Sequence, residues 1–454
     1  MAQAVLWGLR YPQFAARCHR RFGHTFTLRA GTMEPSVVTV DGDAIARLLT
    51  GDPLTKRHAN DVVRPLVGDD AVILIDGREH LARRKLLLPP FHGERVKGYG
   101  ELLRRLTDEE AARWRAGDEV AILPIAQDLT IEVILQALLG VADEALRSRF
   151  RRLIDDTLFY PMGSLRLRLA AKAPRVALSQ RWRAAIAFAA SVGTPAVSTY
   201  FPEIKTRSRW NVATLRWWHH HDRLTALLDE QIAATAADPA LAEREDILAM
   251  LIRARDEDGA ALPAGALRED LLTLIAAGHE TTAAAIAWGA VLLAHHPEVQ
   301  ARARISIRDG DERWLGALVK EILRHRPPLP VAAVRRLDEP FVIGEHTVPA
   351  DTPLIVDAWS LHHDPARFPE PDRFDPERFL ADGAEAYSWL PFGGGARRCI
   401  GASLAELEIR VALATMLRRW TLEPADRDLA PPARRGVVVV PQGGGRVRVS
   451  PGAC

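Results

Sequence analysis

The feature that most constrains the fold is a helical spacing of apolar residues, which runs almost without interruption from Asp43 to about His325. Segments such as AIARLLTGD, GELLRRLTDEEAARWRAG and DLTIEVILQALLGV place apolar residues on one side of a helix. Because each such helix has an apolar face, a chain made mostly of them packs its helices against one another. The sequence therefore predicts a mainly α fold.

The alternation typical of strands is confined to the two ends of the chain. HTFTLRAG and PSVVTVDG (24–31 and 35–42) predict a β-hairpin, and PFVIGEHTVPADTPLIVDAW (340–359) predicts further short strands. A helix from Ala402 to Trp420 is expected next, followed by a final hairpin in GVVVVPQGGGRVRVS (436–450). Since no repeat or linker divides the chain, we predict one α-rich domain, 1–454, with small β-sheets.

Composition excludes several classes of protein. The formal net charge of +2 is too close to balance to indicate nucleic acid as a partner. Three cysteines far apart cannot form a disulfide framework or a four-cysteine zinc site, which predicts a reducing compartment, the cytoplasm. The most apolar stretch, Thr281 to Ala294, is shorter than the roughly 18 residues that a membrane-spanning helix needs. We therefore predict no transmembrane segment.

Two segments leave alternatives open. The first 33 residues contain five arginines and no acidic residue, which fits an organelle-targeting peptide or a surface helix, and the helical spacing of AVLWGLRYPQFAARCHRRFG favours the helix. Residues 199–221 are less regular, basic and aromatic, and end in WWHHH. Consecutive helical residues point in different directions, so we expect no metal site at these three histidines.

LPFGGGARRCIG (390–401) combines three glycines, two arginines and one of the three cysteines. The glycines indicate a close backbone approach and the arginines an anionic ligand. A Walker-type phosphate loop is excluded, because Arg397, Arg398 and Cys399 stand where Gly-Lys-Ser/Thr is required. An isolated cysteine at a helix start is more often a small buried apolar residue than a ligand. The spacing favours the ligand, since F-x-x-G-x-R-x-C-x-G is matched by Phe392, Gly395, Arg397, Cys399 and Gly401.

This loop resembles the cysteine-ligand signature of the cytochrome P450 family, the haem-thiolate monooxygenases. The resemblance extends over nearly the whole chain and implies a cytochrome P450 fold, with heme b between a long oxygen-activation helix and the helix after the cysteine loop. It implies that Cys399 is the axial ligand of the haem iron, that Arg397 contacts a haem propionate and that Phe392 packs beside the sulfur. Gly395 and Gly401 would let the backbone approach the sulfur and the cofactor.

LLTLIAAGHETTAAAIAWGAVLLAHH resembles the oxygen-activation helix of the family. Taken alone, a Glu-Thr pair in an apolar helix is more often a buried pair that caps or bends the helix. The match to the family motif implies that Glu280 and Thr281 are catalytic, and that Ala277 and Gly278 lie over the iron, with Gly278 leaving room for dioxygen.

VKEILRHRPPLP and RFDPERF resemble two further family motifs. Glu-x-x-Arg is uninformative alone, because the same spacing occurs at Glu101/Arg104 and elsewhere. The resemblance implies that Glu321, Arg324 and Arg378 form a buried ion triad, which serves folding and haem retention. An unpaired member of such a triad would be a costly buried charge.

DGREHLARRKLLLPPF resembles the third helix of the family, in which His80 and Arg84 would reach a haem propionate. An i, i+4 pair of this kind otherwise lies on a solvated face. Arg335, seven residues after Pro328, matches another propionate-binding arginine, with Arg336 as the alternative in register.

The resemblance implies a haem monooxygenase that inserts one oxygen atom from O2 into an apolar molecule such as a fatty acid, terpenoid, steroid or polyketide. A haem-thiolate peroxygenase or isomerase would not need the Glu-Thr pair, and a haem-binding sensor would need no electron donor. The pocket is expected to be lined by Val331, Ala332, Ala333, Ala276 and Ala277.

Electrons are expected from NAD(P)H through separate proteins, a reductase and a ferredoxin or flavodoxin, because the 454 residues contain no flavin or iron–sulfur segment. We expect the donor to dock on positive charge at Arg83, Lys85, Arg398 and Arg410. The protein is expected to be a monomer.

Overall fold

The computed structural model describes residues 11–29, 34–51, 56–158, 212–380 and 386–452. Helices dominate this part of the chain, as the spacing predicts. Numbered in chain order, the α-helices are α1 Tyr11–Phe22, α2 Gly42–Thr50, α3 Arg64–Val67, α4 Gly77–Leu87, α5 Glu94–Ala111, α6 Ile122–Val133, α7 Glu144–Leu158, α8 Val212–Ala236, α9 Ile247–Arg253, α10 Ala264–His295, α11 Pro297–Asp309, α12 Glu312–His325, α13 Ala358–His362 and α14 Ala402–Arg419. Helix α6 continues into a π-helical turn, Ile134–Leu138.

The strands form four small sheets within the described residues. They are β1 Thr25–Leu28, β2 Ser36–Thr39, β3 Lys56–His58, β4 Glu119–Ala121, β5 Val331–Leu337, β6 Phe341–Ile343, β7 His346–Val348, β8 Leu354–Asp357, β9 Trp420–Pro424, β10 Pro432–Arg435, β11 Val438–Pro441 and β12 Arg446–Pro451. The largest sheet has the order β1-β2-β8-β5-β3, and the others are β4-β12-β9, β10-β11 and β6-β7. The predicted N-terminal hairpin is confirmed, because β1 and β2 are antiparallel with Thr25 opposite Thr39.

The predicted final hairpin is wrong. Strand β11 pairs with β10, whereas β12 pairs with β4 and β9, so the two strands lie in different sheets. The connection contains three successive glycines with positive φ, Gly443 at 74°, Gly444 at 83° and Gly445 at 66°. A backbone that only glycine adopts readily redirects the chain there, and both strands find partners that precede them in the sequence. Trp420 likewise begins β9 and does not end helix α14.

Helix α10 is the centre of the molecule. All its residues from Thr282 to Ala294 are buried, as expected of a helix that is apolar on every side. It packs against α6, α14 and α12. The approach to α14 depends on Gly289, where a Cβ would lie 2.6 Å from the Leu413 side chain. One apolar core extends from Tyr11 to Val449, in agreement with a single α-rich domain.

The predicted ion triad joins helix α12 to a segment near residue 375. Arg324 donates two hydrogen bonds to the Glu321 carboxylate, at 2.7 and 2.9 Å, and both side chains are 0% exposed. Arg378 Nε donates to the same carboxylate at 3.2 Å, as does the Asp375 backbone N–H at 2.8 Å. Arg324 also donates to the His362 carbonyl at 2.7 Å, so its guanidinium ties three chain segments together.

We expect Arg324→Ala to destabilise the protein by about 3–5 kcal/mol, because it leaves the Glu321 carboxylate buried without its main cation. The matched control is Arg104→Ala, which breaks a pair of the same i, i+3 spacing, Glu101–Arg104, on the surface. Denaturant unfolding of both variants measures the difference. A midpoint for Arg324→Ala that equals the control would contradict a structural role for the triad.

Candidate active site

The cysteine loop, residues 390–401, is a tight turn held by its own backbone. The Cys399 N–H donates to the Phe392 carbonyl at 2.9 Å, and the Arg398 N–H donates to the Gly395 carbonyl at 3.0 Å. Gly393 and Gly395 have φ values of 63° and 64°, in the left-handed region that favours glycine. These bonds fold the loop back on itself and present the Cys399 side chain at its end, immediately before helix α14.

The loop packs its backbone directly against two other segments. A Cβ at Gly395 would collide with the Leu49 carbonyl oxygen at the end of α2, and one at Gly394 would lie 2.7 Å from the Leu49 side chain. A Cβ at Gly393 would lie 2.7 Å from the Ala332 carbonyl oxygen on β5. The three glycines therefore fix the position of the loop between α2 and β5.

Cys399 is exposed, although protein groups surround it on several sides. Burial by these groups raises the pKa of its thiol, while the Gly401 N–H and the positive charges of Arg398 and Arg84 act to lower it. A hydrogen bond from a backbone N–H and nearby guanidinium groups are the environment that stabilises a thiolate. A sulfur that is accessible, and that is supported in this way, is suited to bind a metal.

Three of the predicted propionate-binding residues line one pocket. His80, Arg335 and Arg397 surround a cavity of about 140 Å³ together with Leu49, Gly394 and Lys56. Burial, with the charges of Arg397, Arg84 and Arg335, lowers the pKa of His80 to about 3, so this histidine is neutral. Burial next to Arg397 lowers the pKa of Arg335 to about 10.

The pocket holds more buried positive charge than its own carboxylates neutralise. Asp76 accepts a hydrogen bond from Arg397 at 2.5 Å and is the acidic residue that acts on both Arg335 and Arg397. Arg84 approaches from α4 and interacts with Cys399, Arg398 and Arg397. Because buried guanidinium groups are costly without partners, this arrangement fits a ligand that carries carboxylates.

The structure brings together four of the residues predicted to bind a haem propionate: His80, Arg84, Arg335 and Arg397. Arg336, the alternative to Arg335, instead forms an ion pair with Glu34.

On helix α10, Ala277 is exposed and Thr281 is partly exposed, while most residues around them are buried. The Thr281 hydroxyl donates to the Ala277 carbonyl at 2.6 Å, one turn earlier. These two residues therefore form one stripe of the helix that faces an open space. A Cβ at Gly278 would meet the Ile134 side chain at 3.7 Å, an ordinary van der Waals contact, and the role of Gly278 over the iron stays a prediction.

The Glu280 carboxylate is buried on another side of α10. Gln127 Nε2 donates to it at 2.6 Å from α6, and Arg435 Nε lies 3.2 Å away on β10. Burial raises the pKa of Glu280, and Arg435 and Gln127 act to lower it. Arg435 is 30% exposed at its side chain, so this ion pair extends from the helix interior to solvent.

Three residues of the site were not predicted from the sequence. No local motif indicates that Gln127 or Arg435 contacts Glu280. For Asp76, the Asp-Gly pair at residues 76–77 before helix α4 was the available indication.

The structure corrects two expectations about the surroundings of the site. Arg83 is buried and binds Asp270 at 3.2 Å and Asp70 at 3.3 Å, so it is not available to a docking partner. Ala333 is also buried, within the core of the large sheet, and does not line an open pocket.

His220 and His221 have separate partners. His221 Nε2 contacts the Leu66 carbonyl oxygen at 3.0 Å, and His220 lies 3.3 Å from Asp156. Within the described ranges, no cluster of three or more potential metal ligands is found.

Comparison with known proteins decides the family. The family model for cytochrome P450 matches residues 194–449. Cytochrome P450 138 of Mycobacterium tuberculosis is 33% identical over 429 residues, which cover 94% of this chain and 89% of the relative. Cytochrome P450 135B1 of the same organism is 33% identical over 458 residues, covering 98% and 89%. The chain belongs to the cytochrome P450 family.

The fold of this cytochrome P450 agrees with that of solved members. It superposes on the retinoic acid bound cyanobacterial CYP120A1 with a TM-score of 0.79, at 22% identity and with 98% of this chain and 96% of that chain covered. A cytochrome P450DA heme domain gives a TM-score of 0.78 at 20% identity, covering 99% and 93%. The predicted fold class is confirmed.

Family membership identifies the chain as a monooxygenase-type oxidoreductase, a class that binds haem, uses O2 and receives electrons from redox partners. The cysteine loop and the buried cations fit this cofactor, because they provide a sulfur ligand and groups that bind carboxylates. Where the structure describes the chain, none of its helices combines the length and the apolar character that a membrane span requires.

We expect Gly395→Ala to lower the haem content of the purified protein sharply, because its Cβ would collide with the Leu49 carbonyl and displace the loop. The matched control is Gly436→Ala, whose φ of 62° is nearly the same but whose Cβ would meet nothing within 4 Å. Both changes cost about 1–2 kcal/mol of left-handed backbone strain, so a difference between them reports the collision. Equal haem content in the two variants would show that this contact does not hold the loop.

Proposed function

We propose that the protein is a heme b monooxygenase in which Cys399 is the axial ligand of the iron. The observation that carries this proposal is an exposed cysteine in the same loop as Gly394 and Arg397, which line a cavity together with the buried His80 and Arg335. A thiolate ligand needs positive surroundings to remain deprotonated, and Arg84, Arg398 and the Gly401 N–H provide them. Phe392 packs against the Arg398 side chain, with its ring 5.9 Å from the guanidinium carbon.

The propionates of the cofactor are assigned to Arg335, Arg397 and the neutral His80, with Arg84 on the cysteine side. Two guanidinium groups can neutralise two carboxylates, and His80 can donate one hydrogen bond without adding charge. When bound, haem supplies the reduction of dioxygen and the transfer of one oxygen atom to the substrate, while the second leaves as water. The protein groups around it bind, orient and deliver protons.

Proton delivery is assigned to Thr281 and Glu280. The Thr281 hydroxyl lies on the exposed stripe next to Ala277, and its bond to the Ala277 carbonyl leaves an acceptor position toward the open space. Glu280 follows it in the chain but is held by Gln127 and Arg435. Since Arg435 reaches solvent, a proton can enter along this ion pair when the carboxylate exchanges between Arg435 and the Thr281 side. Arg435 and Gln127 therefore act as positioning residues.

The substrate is proposed to be an apolar small molecule. The residues assigned to the open space beside Thr281 are small and apolar: Ala276, Ala277, Val331 and Ala332. Such a lining provides shape and apolar contact and few hydrogen-bonding groups, which fits a fatty acid, terpenoid, steroid or polyketide.

The electron donor is proposed to be a ferredoxin or flavodoxin with its NAD(P)H reductase. The docking surface is smaller than expected from the sequence, since Arg83 is buried, Lys85 pairs with Glu257, and Arg410 pairs with Glu312 at 2.9 Å. Arg398, exposed beside Cys399, is retained as the positive group on this face. Reduction of the protein by a surrogate ferredoxin and reductase tests this assignment. The monomeric state and the cytoplasmic location stay predictions.

We expect Thr281→Ala to bind haem normally and to consume NAD(P)H, but to release most of the reduced oxygen as hydrogen peroxide, because protons are no longer directed by the hydroxyl. Glu280→Gln is expected to slow turnover by roughly 100-fold, since the relay loses its titrating group. The measurement is the amount of product and of peroxide per NAD(P)H consumed, with a surrogate ferredoxin and reductase and a substrate found by Soret-shift screening.

Thr415→Ala is the matched control, because the Thr415 hydroxyl donates to the carbonyl one turn earlier, at 2.7 Å, but lies on α14. It should leave coupling unchanged while losing the same type of intrahelical bond. Coupling that is equally unchanged in Thr281→Ala would remove Thr281 from the mechanism and leave it a packing role.

A further inference from the structure

The segment from Gly68 to Asp76 connects the two sides of the proposed site. At one end, the Val72 N–H donates to the Asp270 carboxylate on helix α10 at 2.7 Å. At the other end, Arg397 of the cysteine loop donates to the Ile75 carbonyl and to the Asp76 carboxylate, both at 2.5 Å. We call residues 69–75 the bridging loop. Helix α10 and the cysteine loop together set the position of the bridging loop.

Asp270 lies on the same stripe of helix α10 as the exposed Ala277 and Thr281. Seven residues rotate a helix by about 700° and eleven by about 1,100°, each within roughly 20° of whole turns. Asp270 therefore precedes Ala277 on one side of the helix, at roughly 10 Å along the axis. The bridging loop thus crosses helix α10 at the N-terminal end of the stripe that faces the open space.

A dense set of charged contacts holds this crossing. Asp270 is 0% exposed, and Arg83 Nη1 donates to its second oxygen at 3.2 Å. Arg83 also binds the Asp70 carboxylate at 3.3 Å and the Asp70 carbonyl at 3.3 Å. The neighbouring Glu269 accepts the Asp70 N–H at 2.6 Å, and a Cβ at Gly68 would collide with the Glu269 carboxyl group. Two carboxyl groups of α10 and one arginine of α4 thus bind the loop at Asp70 and Val72.

Loop stability alone does not require this arrangement. A buried carboxylate is costly even when it is paired, and an apolar residue of similar size would often be as stable. Unlike an apolar side chain, the Asp270 carboxylate orients its neighbours, because one oxygen accepts from the Val72 N–H and the other from the Arg83 guanidinium. The buried carboxylate therefore lies where the bridging loop meets the side of helix α10 that carries Ala277 and Thr281.

We propose that Asp270 is a positioning residue, which fixes the bridging loop at the edge of the space before Ala277 and so determines which substrate shapes reach Thr281. The inference rests on the proposed function for the meaning of that space. It concerns the shape of the chamber and not the chemical step.

Burial raises the pKa of Asp270 to about 6, while the Val72 N–H of the loop and Arg83 act to lower it. A contact that lowers the pKa of an acid favours its ionised form, so the Val72 and Arg83 contacts are made with the carboxylate. Burial also raises the pKa of the neighbouring Glu269, and the Asp70 N–H acts to lower it. The other charged groups facing the two acids are Arg83 and Glu79 from α4, Asp69 and Asp70 from the loop, and Arg268 on α10 with its partner Asp229 on α8.

The first test is hydrogen–deuterium exchange of the peptide covering residues 69–76 in the haem-loaded protein. Asp270→Leu should speed exchange there by about tenfold or more, since a buried hydrogen bond to a charged group is lost. Asp270→Asn keeps an oxygen for the Val72 N–H and should remain within about threefold of the parent protein. The control is Asp229→Asn, which removes an exposed ion pair with Arg268 on the same helix and should change nothing in this peptide.

The second test compares the dissociation constants of imidazole and 4-phenylimidazole from the Soret shift of the ferric protein. Asp270→Leu should change the constant for the bulky probe by about fivefold or more and that for imidazole by less than about twofold, because chamber shape matters only for the larger ligand. A purely structural role would shift both constants equally or neither. If Asp270→Leu does not fold, Arg83→Gln, which removes the cation that orients the carboxylate, replaces it in both tests.

Loop exchange equal to that of Asp229→Asn, or an unchanged ratio of the two azole constants, would overturn the proposal. Neither readout depends on turnover. Failure of oxygen insertion, with both readouts as expected, would count against the proposed reaction and leave the positioning role intact.

Discussion

The contact of the Gly395 backbone with the Leu49 carbonyl is the constraint on which the site depends. It places the cysteine loop against α2, and the close approach of Gly393 to Ala332 places the same loop against β5. Once these contacts are made, Cys399 and Arg397 have fixed positions relative to the large sheet. The short distances leave no room for a side chain, so the loop is rigid for a steric reason and not through its own hydrogen bonds alone.

Charge is distributed unequally around this rigid loop. The pocket beside it concentrates buried arginines with Asp76 as their acidic partner, whereas helix α10 holds buried acids, Glu280 and Asp270, each paired with an arginine from another element. The first arrangement is suited to bind an anionic cofactor. The second holds carboxyl groups with raised pKa values, to which we assign proton delivery in the case of Glu280 and positioning of the bridging loop in the case of Asp270.

The sequence predicted the elements that repeat a strong pattern, and it failed where distant partners decide. The apolar run in α10 and the ten-residue cysteine signature are local patterns, so both could be recognised from neighbouring residues, although the position of the cysteine loop depends on the distant Leu49 and Ala332. The pairing of β11 and β12 depends on other strands, because β11 pairs with β10, and β12 pairs with β4 and β9. The three glycines between β11 and β12 resemble a hairpin turn, which is why the sequence predicted that the two strands pair with each other. Gln127 is 153 positions from Glu280, and no local spacing indicates that contact. Arg83 looked like a surface cation because its helix has no clear apolar side; Asp270 became its partner only through the tertiary fold.

The central claim is that Cys399 provides the sulfur ligand of the haem iron. The most direct measurement is the absorption spectrum of the reduced carbon monoxide complex for the parent protein, Cys399→Ser and Cys18→Ser. We expect the long-wavelength Soret band of thiolate ligation in the parent protein and in Cys18→Ser, and its loss in Cys399→Ser. A Cys399→Ser protein that retains this band, or a well-folded parent protein that lacks it, would contradict the assignment.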